Sequence, residues 1–184
     1  MIGLACCATG VVTLILTKKW LPCVFYLQIF CVTYMFWPIH TANLNAIKAM
    51  GRSDLFLKLE IWKKVIGMIL LLSTMFISVE AMAYSLLIST LTSMIINSWP
   101  NKKLLNYSFL EQMKDILPSI FLAVGMGVVV YLIGFLPVPT LPLLIIQVIC
   151  GGVIYIMGSA LLKLEPFEYL VGIIKPMIQK RRKV

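Results

Sequence analysis

At 184 residues, with 61% hydrophobic and only 12% charged side chains, the chain lacks the polar surface a soluble domain needs to stay dissolved. A net charge of +9 raises nucleic acid as a partner, but the basic residues come in short runs between apolar segments and form no single patch, which excludes it. What remains is an all-α, polytopic membrane helical bundle whose outer face meets lipid.

A helix crossing the hydrocarbon core needs about 20 apolar residues, and about six transmembrane helices are expected here. The first, residues 2–16, is short for a full crossing. It does not read as a secretory signal, because no Lys or Arg precedes its apolar run and the first basic residues are Lys18 and Lys19. Residues 21–47 form a second span, long enough to tilt, with Pro38 as its kink site. Pro38 also frees the carbonyl of Tyr34.

From Val65 to Trp99 the chain is almost continuously apolar, and as one helix it would be about 52 Å long, too long for a bilayer. It must fold back, and Glu80, the only charge in the stretch, marks the reversal between spans 61–79 and 81–99. The alternative is a buried intramembrane Glu80 that relays protons. Spans 116–136 and 141–162 follow, separated by the proline-rich turn "FLPVPTLP". Asp115 suits the N-cap of the first of these, with Pro118 in its first turn.

Basic residues gather in 48–64, 100–115 and the tail, and are missing from the turns at Glu80 and the prolines. The positive-inside rule then puts those three segments and the C-terminus in the cytoplasm, with Lys18 and Lys19 as an exception that snorkelling tolerates. Two pieces suit the membrane surface. One is "LLNYSFLEQMKD" with Leu105, Phe109 and Met113 four apart; the other is the 163–184 tail with Phe167, Leu170 and Ile174 ahead of "KRRK". The bundle proper is therefore residues 1–162. Small residues, Ala123 with Gly127 and Gly151 with Gly152, Tyr155 and Ser159, point to close helix packing.

Within the apolar background, "NLNAIKAMGRSD" stands out. His40, Asn43 and Asn45, with Thr41, cover a broad arc of the second span and must face protein or water. Gly51 suits a helix C′ position, and Ser53 or Asp54 the cap of the next segment. Arg52, with Lys48, Lys58 and Lys64, suits a phosphate or pyrophosphate; the alternative is that these four only obey the positive-inside rule. Asp54 and Glu60 lie in this basic loop, where salt bridging is their simplest role.

No catalytic set, Gly-rich phosphate loop or metal-ligand spacing is present, and Cys6, Cys7, Cys23, Cys31 and Cys150 read as inert buried thiols. The sequence therefore points to no enzyme, no cofactor and no metal.

Residues 27–64 resemble the C-terminal half of bacterial polysaccharide transporters, the lipid-linked oligosaccharide flippases that include O-antigen exporters in the MATE-like superfamily. The shared pattern is a mid-helix proline (Pro38), Asn43-Leu44-Asn45, Gly51-Arg52-Ser53-Asp54, then Lys58, Glu60 and the pair Lys63-Lys64. "EQMKDILPS" and "IQVICGGVIYI" downstream are similar too. The resemblance implies one lobe of a MATE-like transporter in the bacterial cytoplasmic (inner) membrane. Such a protein moves a polyprenyl-pyrophosphate-linked oligosaccharide outward by alternating access, driven by a proton or sodium gradient. It implies a substrate-binding set of His40, Asn43, Asn45, Lys48, Arg52, Lys58 and Lys64, contacts with membrane lipids, and no nucleic acid. Family members carry twelve to fourteen spans, so the expected partner is a missing N-terminal lobe or a second chain. A truncated reading frame or an expressed fragment would also explain the length. Two other readings stay open: a small-molecule or multidrug exporter of the same fold, which should carry an intramembrane carboxylate, and a non-transporting scaffold or inactive remnant.

Overall fold

The computed structural model describes residues 1–181, apart from the side chains of Leu105 and of residues 175–181, and it is all-helical, with no strand among the described residues. Helices α1 (Ile2–Cys6) and α2 (Ala8–Ile15) form one bent rod, because Cys7 N–H still reaches Gly3 O and Val11 N–H reaches Cys7 O. After a short turn of 3-10 helix at Lys18–Trp20 come α3 (Cys23–Met35), α4 (Trp37–Ala49), α5 (Ser53–Met75), α6 (Val79–Leu105), α7 (Phe109–Ile133), α8 (Thr140–Leu161) and α9 (Glu165–Arg181). The turns after α4, α6 and α8 share one end of the bundle, the basic end, and those after α5 and α7 share the other.

The kink expected of Pro38 is present, and it breaks the helix at Phe36, two residues earlier. Proline has no N–H to offer Tyr34 O, and that carbonyl accepts from Phe36 N–H instead. At the end of α4, Gly51 adopts φ +69°, with its N–H on Lys48 O and the Arg52 N–H on Ile47 O. This is a Schellman closure, so the glycine is needed for the backbone.

Several boundaries differ from the sequence expectation. The long apolar stretch reverses at residues 76–78, ahead of Glu80, because Ser78 Oγ accepts Ala81 N–H at 3.0 Å and caps α6. Glu80 falls in the first turn of α6, exposed, where the helix dipole favours an anion; it is not a buried relay. No surface helix forms over residues 104–115. The segment is divided between the ends of α6 and α7 by a left-handed Asn106 (φ 52°) and by Ser108, whose capping box with Glu111 starts α7. Asp115 therefore lies inside α7 and caps nothing, and Pro118 sits well past its first turn. Neither Ser53 nor Asp54 caps α5, which starts from Arg52 without a side-chain cap. The tail forms α9 with Leu170 and Ile174 exposed, while the terminal basic side chains lie outside the described residues.

Among the described residues, four helices are long and apolar enough to cross a membrane: Cys23–Ala49, Val79–Leu104, Phe109–Ile133 and Thr140–Leu161. These mark a membrane protein. The two shortfalls from six have plain causes. The α1–α2 rod reaches only part of the way along the bundle, with Ile2 beside Gly127 of α7. In α5, Lys58, Glu60, Lys63 and Lys64 leave only the later turns free of charge. The packing is inverted relative to a soluble protein. Asn43, Asn97, Asn101, Gln112 and Gln147 are buried, while Ile69, Phe121 and Val148 are more than half exposed in mid-helix.

α6 packs on α3, α4 and α5, α7 packs on α8, and α1–α2 bridge α3 to α7 and α8. Small residues set the α7–α8 contact, where a Cβ on Gly158 would lie 2.3 Å from Leu122 Cδ1 and one on Gly151 would lie 3.0 Å from Val130 Cγ2. Gln147 Nε2 donates to Val130 O at 3.0 Å across the same seam. Gly127 and Ser159 are buried as their spacing suggested, whereas Gly152 faces open space and Tyr155 is exposed. Gly158→Leu is expected to lower stability by about 1–3 kcal/mol through overpacking, and Gly152→Leu to leave it unchanged. Thermal unfolding of both variants in detergent checks this.

Candidate functional site

At the basic half of the bundle, α3, α4, α5 and α6 enclose a cleft of about 320 Å³. α4 carries His40 and Thr41 into it, α5 carries Glu60, Lys63 and Lys64, and Thr33, Thr90 and Ser93 add hydroxyls from α3 and α6. Glu60 is seven residues into α5 and Lys64 eleven, so the charged wall lies about 10–17 Å along the helix from the Gly51 turn. Lys63 Nζ and the Glu60 carboxylate form an ion pair, with the lysine side chain 12% exposed. Two ammonium groups and one carboxylate share the α5 wall of the cleft, so with His40 neutral it is net positive. Low-dielectric walls strengthen that field relative to water. A larger cavity of about 470 Å³ between α1, α3 and α7 is lined by residues such as Cys31, Met35, Val124 and Leu132. It offers almost nothing to orient a polar ligand, so the smaller cleft is the candidate site.

Beside the cleft lies a chain of buried polar side chains. Asn43 Nδ2 donates to Gln112 Oε1 at 2.8 Å and to Ser98 Oγ at 3.2 Å, and Asn43 Oδ1 accepts from Asn101 Nδ2 at 2.5 Å. Asn97 Nδ2 and His40 Nδ1 meet at 3.1 Å, a separate contact between α6 and the cleft wall. Asn97 Oδ1, Asn101 Oδ1 and Gln112 Nε2 are inaccessible and find no partner among the described residues. Asn43 is thus the hub of an α4–α6–α7 contact and does not border open space.

The structure divides the expected set. His40 and Lys64 come together in the cleft; Asn43 is locked in the network; Asn45 and Lys58 are exposed outside it. Lys48 Nζ lies 4.5 Å over the Phe56 ring, a cation–π contact across the Gly51 turn. Arg52 Nε pairs with Asp54 Oδ1 at 3.4 Å, with both side chains about half exposed. Asp54 is held below the usual carboxylate range, first by Leu55 N–H and then by Arg52. Near the α6–α7 turn Tyr107 donates to Asp115, and that contact pushes its phenol up to about 12. Among the described residues no three His, Cys, Asp or Glu side chains gather where they could hold a metal.

Sequence reasoning missed Lys63 as a cleft residue and placed Glu60 in a loop, although salt bridging is indeed its role. It also missed Asn97, Ser98, Asn101 and Gln112. The signal was there: Asn97 and Asn101 lie four apart in an apolar span, which puts both amides on one helix face. Comparison with family models, with curated proteins and with solved structures gave no match.

Asn43→Ala is expected to cost about 1–2 kcal/mol, because it leaves Asn101 and Gln112 without their partner in a dry interior. Asn45→Ala should change stability by less than about 0.5 kcal/mol. Unfolding titrations in mixed micelles compare the two.

Proposed function

We propose that this chain is part of a transporter that flips polyprenyl-pyrophosphate-linked oligosaccharide across the bacterial cytoplasmic membrane, and that the anionic headgroup enters through the cleft at His40, Lys63 and Lys64. The observation that carries this is a net-positive, hydroxyl-lined cleft in the basic half of a bundle otherwise faced with hydrocarbon side chains. Ammonium groups on a cleft wall are costly in a membrane protein unless an anion or water meets them there. The likeness of residues 27–64 to polysaccharide flippases adds the substrate class. In this reading the basic end is cytoplasmic, α1–α2 and α5 complete a six-helix MATE-like lobe, and a second lobe closes over the cleft from another chain or segment. The headgroup contact falls on Lys63 and Lys64 in place of Arg52, because those two lysines line the cleft and Arg52 does not.

Glu60 supplies the carboxylate a small-molecule exporter of this fold would carry, which favours that second reading. The sign of the cleft argues against cationic drugs, since an ammonium group in excess repels them. The buried Asn43 network is compatible with a scaffold as well, so transport itself is the deciding measurement.

Reconstituted with any required second lobe, the parent chain is expected to flip a fluorescent polyprenyl-pyrophosphate sugar in liposomes. Lys63→Met should lower the rate about tenfold or more through loss of a charge-assisted contact, while Arg52→Ala leaves it within about twofold. Equal rates for parent and Lys63→Met would remove the cleft from the mechanism. Absence of flipping by the parent would leave the scaffold reading.

A further inference from the structure

Lys63 is well enclosed, and the group that neutralises it, Glu60, stands one helical turn earlier on the same face of α5 with its side chain 29% exposed. The cleft thus arrives with an anion of its own. His40 faces the pair from α4, Lys64 from α5, the Tyr34 phenol and Thr33 hydroxyl from α3, and the hydroxyls of Thr90 and Ser93 from α6. Among the described residues no second carboxylate lines the cleft. A phosphate that reaches the Lys63 ammonium competes with Glu60 for its N–H groups and comes to lie beside the carboxylate. Two anions side by side against low-dielectric walls repel, and the cheapest relief is for the carboxylate to become neutral.

We propose that Glu60 is a resident counter-anion, displaced from Lys63 by an incoming phosphate of two or more negative charges and neutralised by one proton as it leaves. One O–H bond forms on a Glu60 carboxyl oxygen as one bond to hydrogen breaks in the hydronium ion or buffer acid that delivers the proton at the basic end, and no other bond changes. The nature of the anion rests on the transport reading above; the displacement itself rests on the ion pair and the composition of the cleft. Binding of the headgroup is then linked to proton uptake, so it weakens as pH rises. The proton taken up is released when Glu60 recovers Lys63 after the anion departs.

Calorimetry on the full chain in detergent, in two buffers of different ionisation enthalpy, counts the protons. Inorganic pyrophosphate serves as the free anion in one arm, and farnesyl pyrophosphate as the lipid-borne one in the other. The parent is expected to take up about one proton more per bound anion than Glu60→Gln, which cancels the probe's own titration. Over the pH range in which the displaced carboxyl stays protonated, its affinity should fall by up to about tenfold per pH unit relative to that variant. Glu60→Asp should restore the difference, which separates a lost carboxylate from a misfolded protein, and His40→Gln should retain it. Binding of either probe with this signature supports the displacement, and comparison of the arms tells a lipid headgroup from free phosphate. Equal proton counts in parent and Glu60→Gln, a difference that follows His40, or no binding in either arm would overturn it. Proton-linked binding without flipping in liposomes removes the transport reading and leaves this inference; flipping with equal proton counts does the reverse.

Discussion

A polar side chain facing hydrocarbon has nothing to bond with, and the arrangement of this molecule follows from that constraint. Asn43, Asn97, Asn101, Gln112 and Gln147 turn inward, while Ile69, Phe121 and Val148 turn outward, the reverse of a soluble core. Each inward amide reaches for a neighbouring helix: Asn43 for α6 and α7, Gln147 for the backbone of α7. Helix association in lipid relies on close packing and such bonds because burial of apolar surface gives little between apolar solvents. Gly158 and Gly151 supply the close packing at the α7–α8 seam.

The same constraint distinguishes the two polar regions of the basic half. In the Asn43 network, amide meets amide and the interior is closed. In the neighbouring cleft, charged groups from α5 face hydroxyls and an imidazole across about 320 Å³ of space. His40 lies on the cleft wall, with Nδ1 on Asn97 of α6. The buried amide contacts beside the cleft fix α4, which forms part of its wall, against α6 and α7.

The helical class and some of the turns were legible in the sequence because they depend on local chemistry. Gly51 has the positive φ and the closing bonds its place before Arg52 suggested, and the turn with three prolines separates α7 from α8 near the expected residues. The reversal near Glu80 was misplaced because a charge attracted more weight than Ser78, whose hydroxyl caps α6. The surface helix expected around Phe109 was misread because four-residue spacing describes one face of any helix, whether it lies flat or begins a span. The cleft was half legible. His40 and Lys64 were marked by type and position, but Lys63 points into the cleft only because α5 continues unbroken from Ser53, and a basic pair in an assumed loop gives no direction. Asn43 was recognised as needing company, yet its partners come from α6 and α7, 55 to 69 residues away, which no local pattern reveals.

The interruption at Phe36 sits directly above the segment that bears His40 and Asn43. An intact helix resists bending because each degree of tilt strains its ladder of amide bonds, but here proline has already removed the rung that would resist most. The lower segment therefore meets α3 at a joint where one backbone bond is missing, held by the Ile39 and His40 N–H groups on Phe36 O and by what its side chains grip. A change in the grip of His40 and Asn43 on α6 would be taken up there, as a change of angle between α3 and α4.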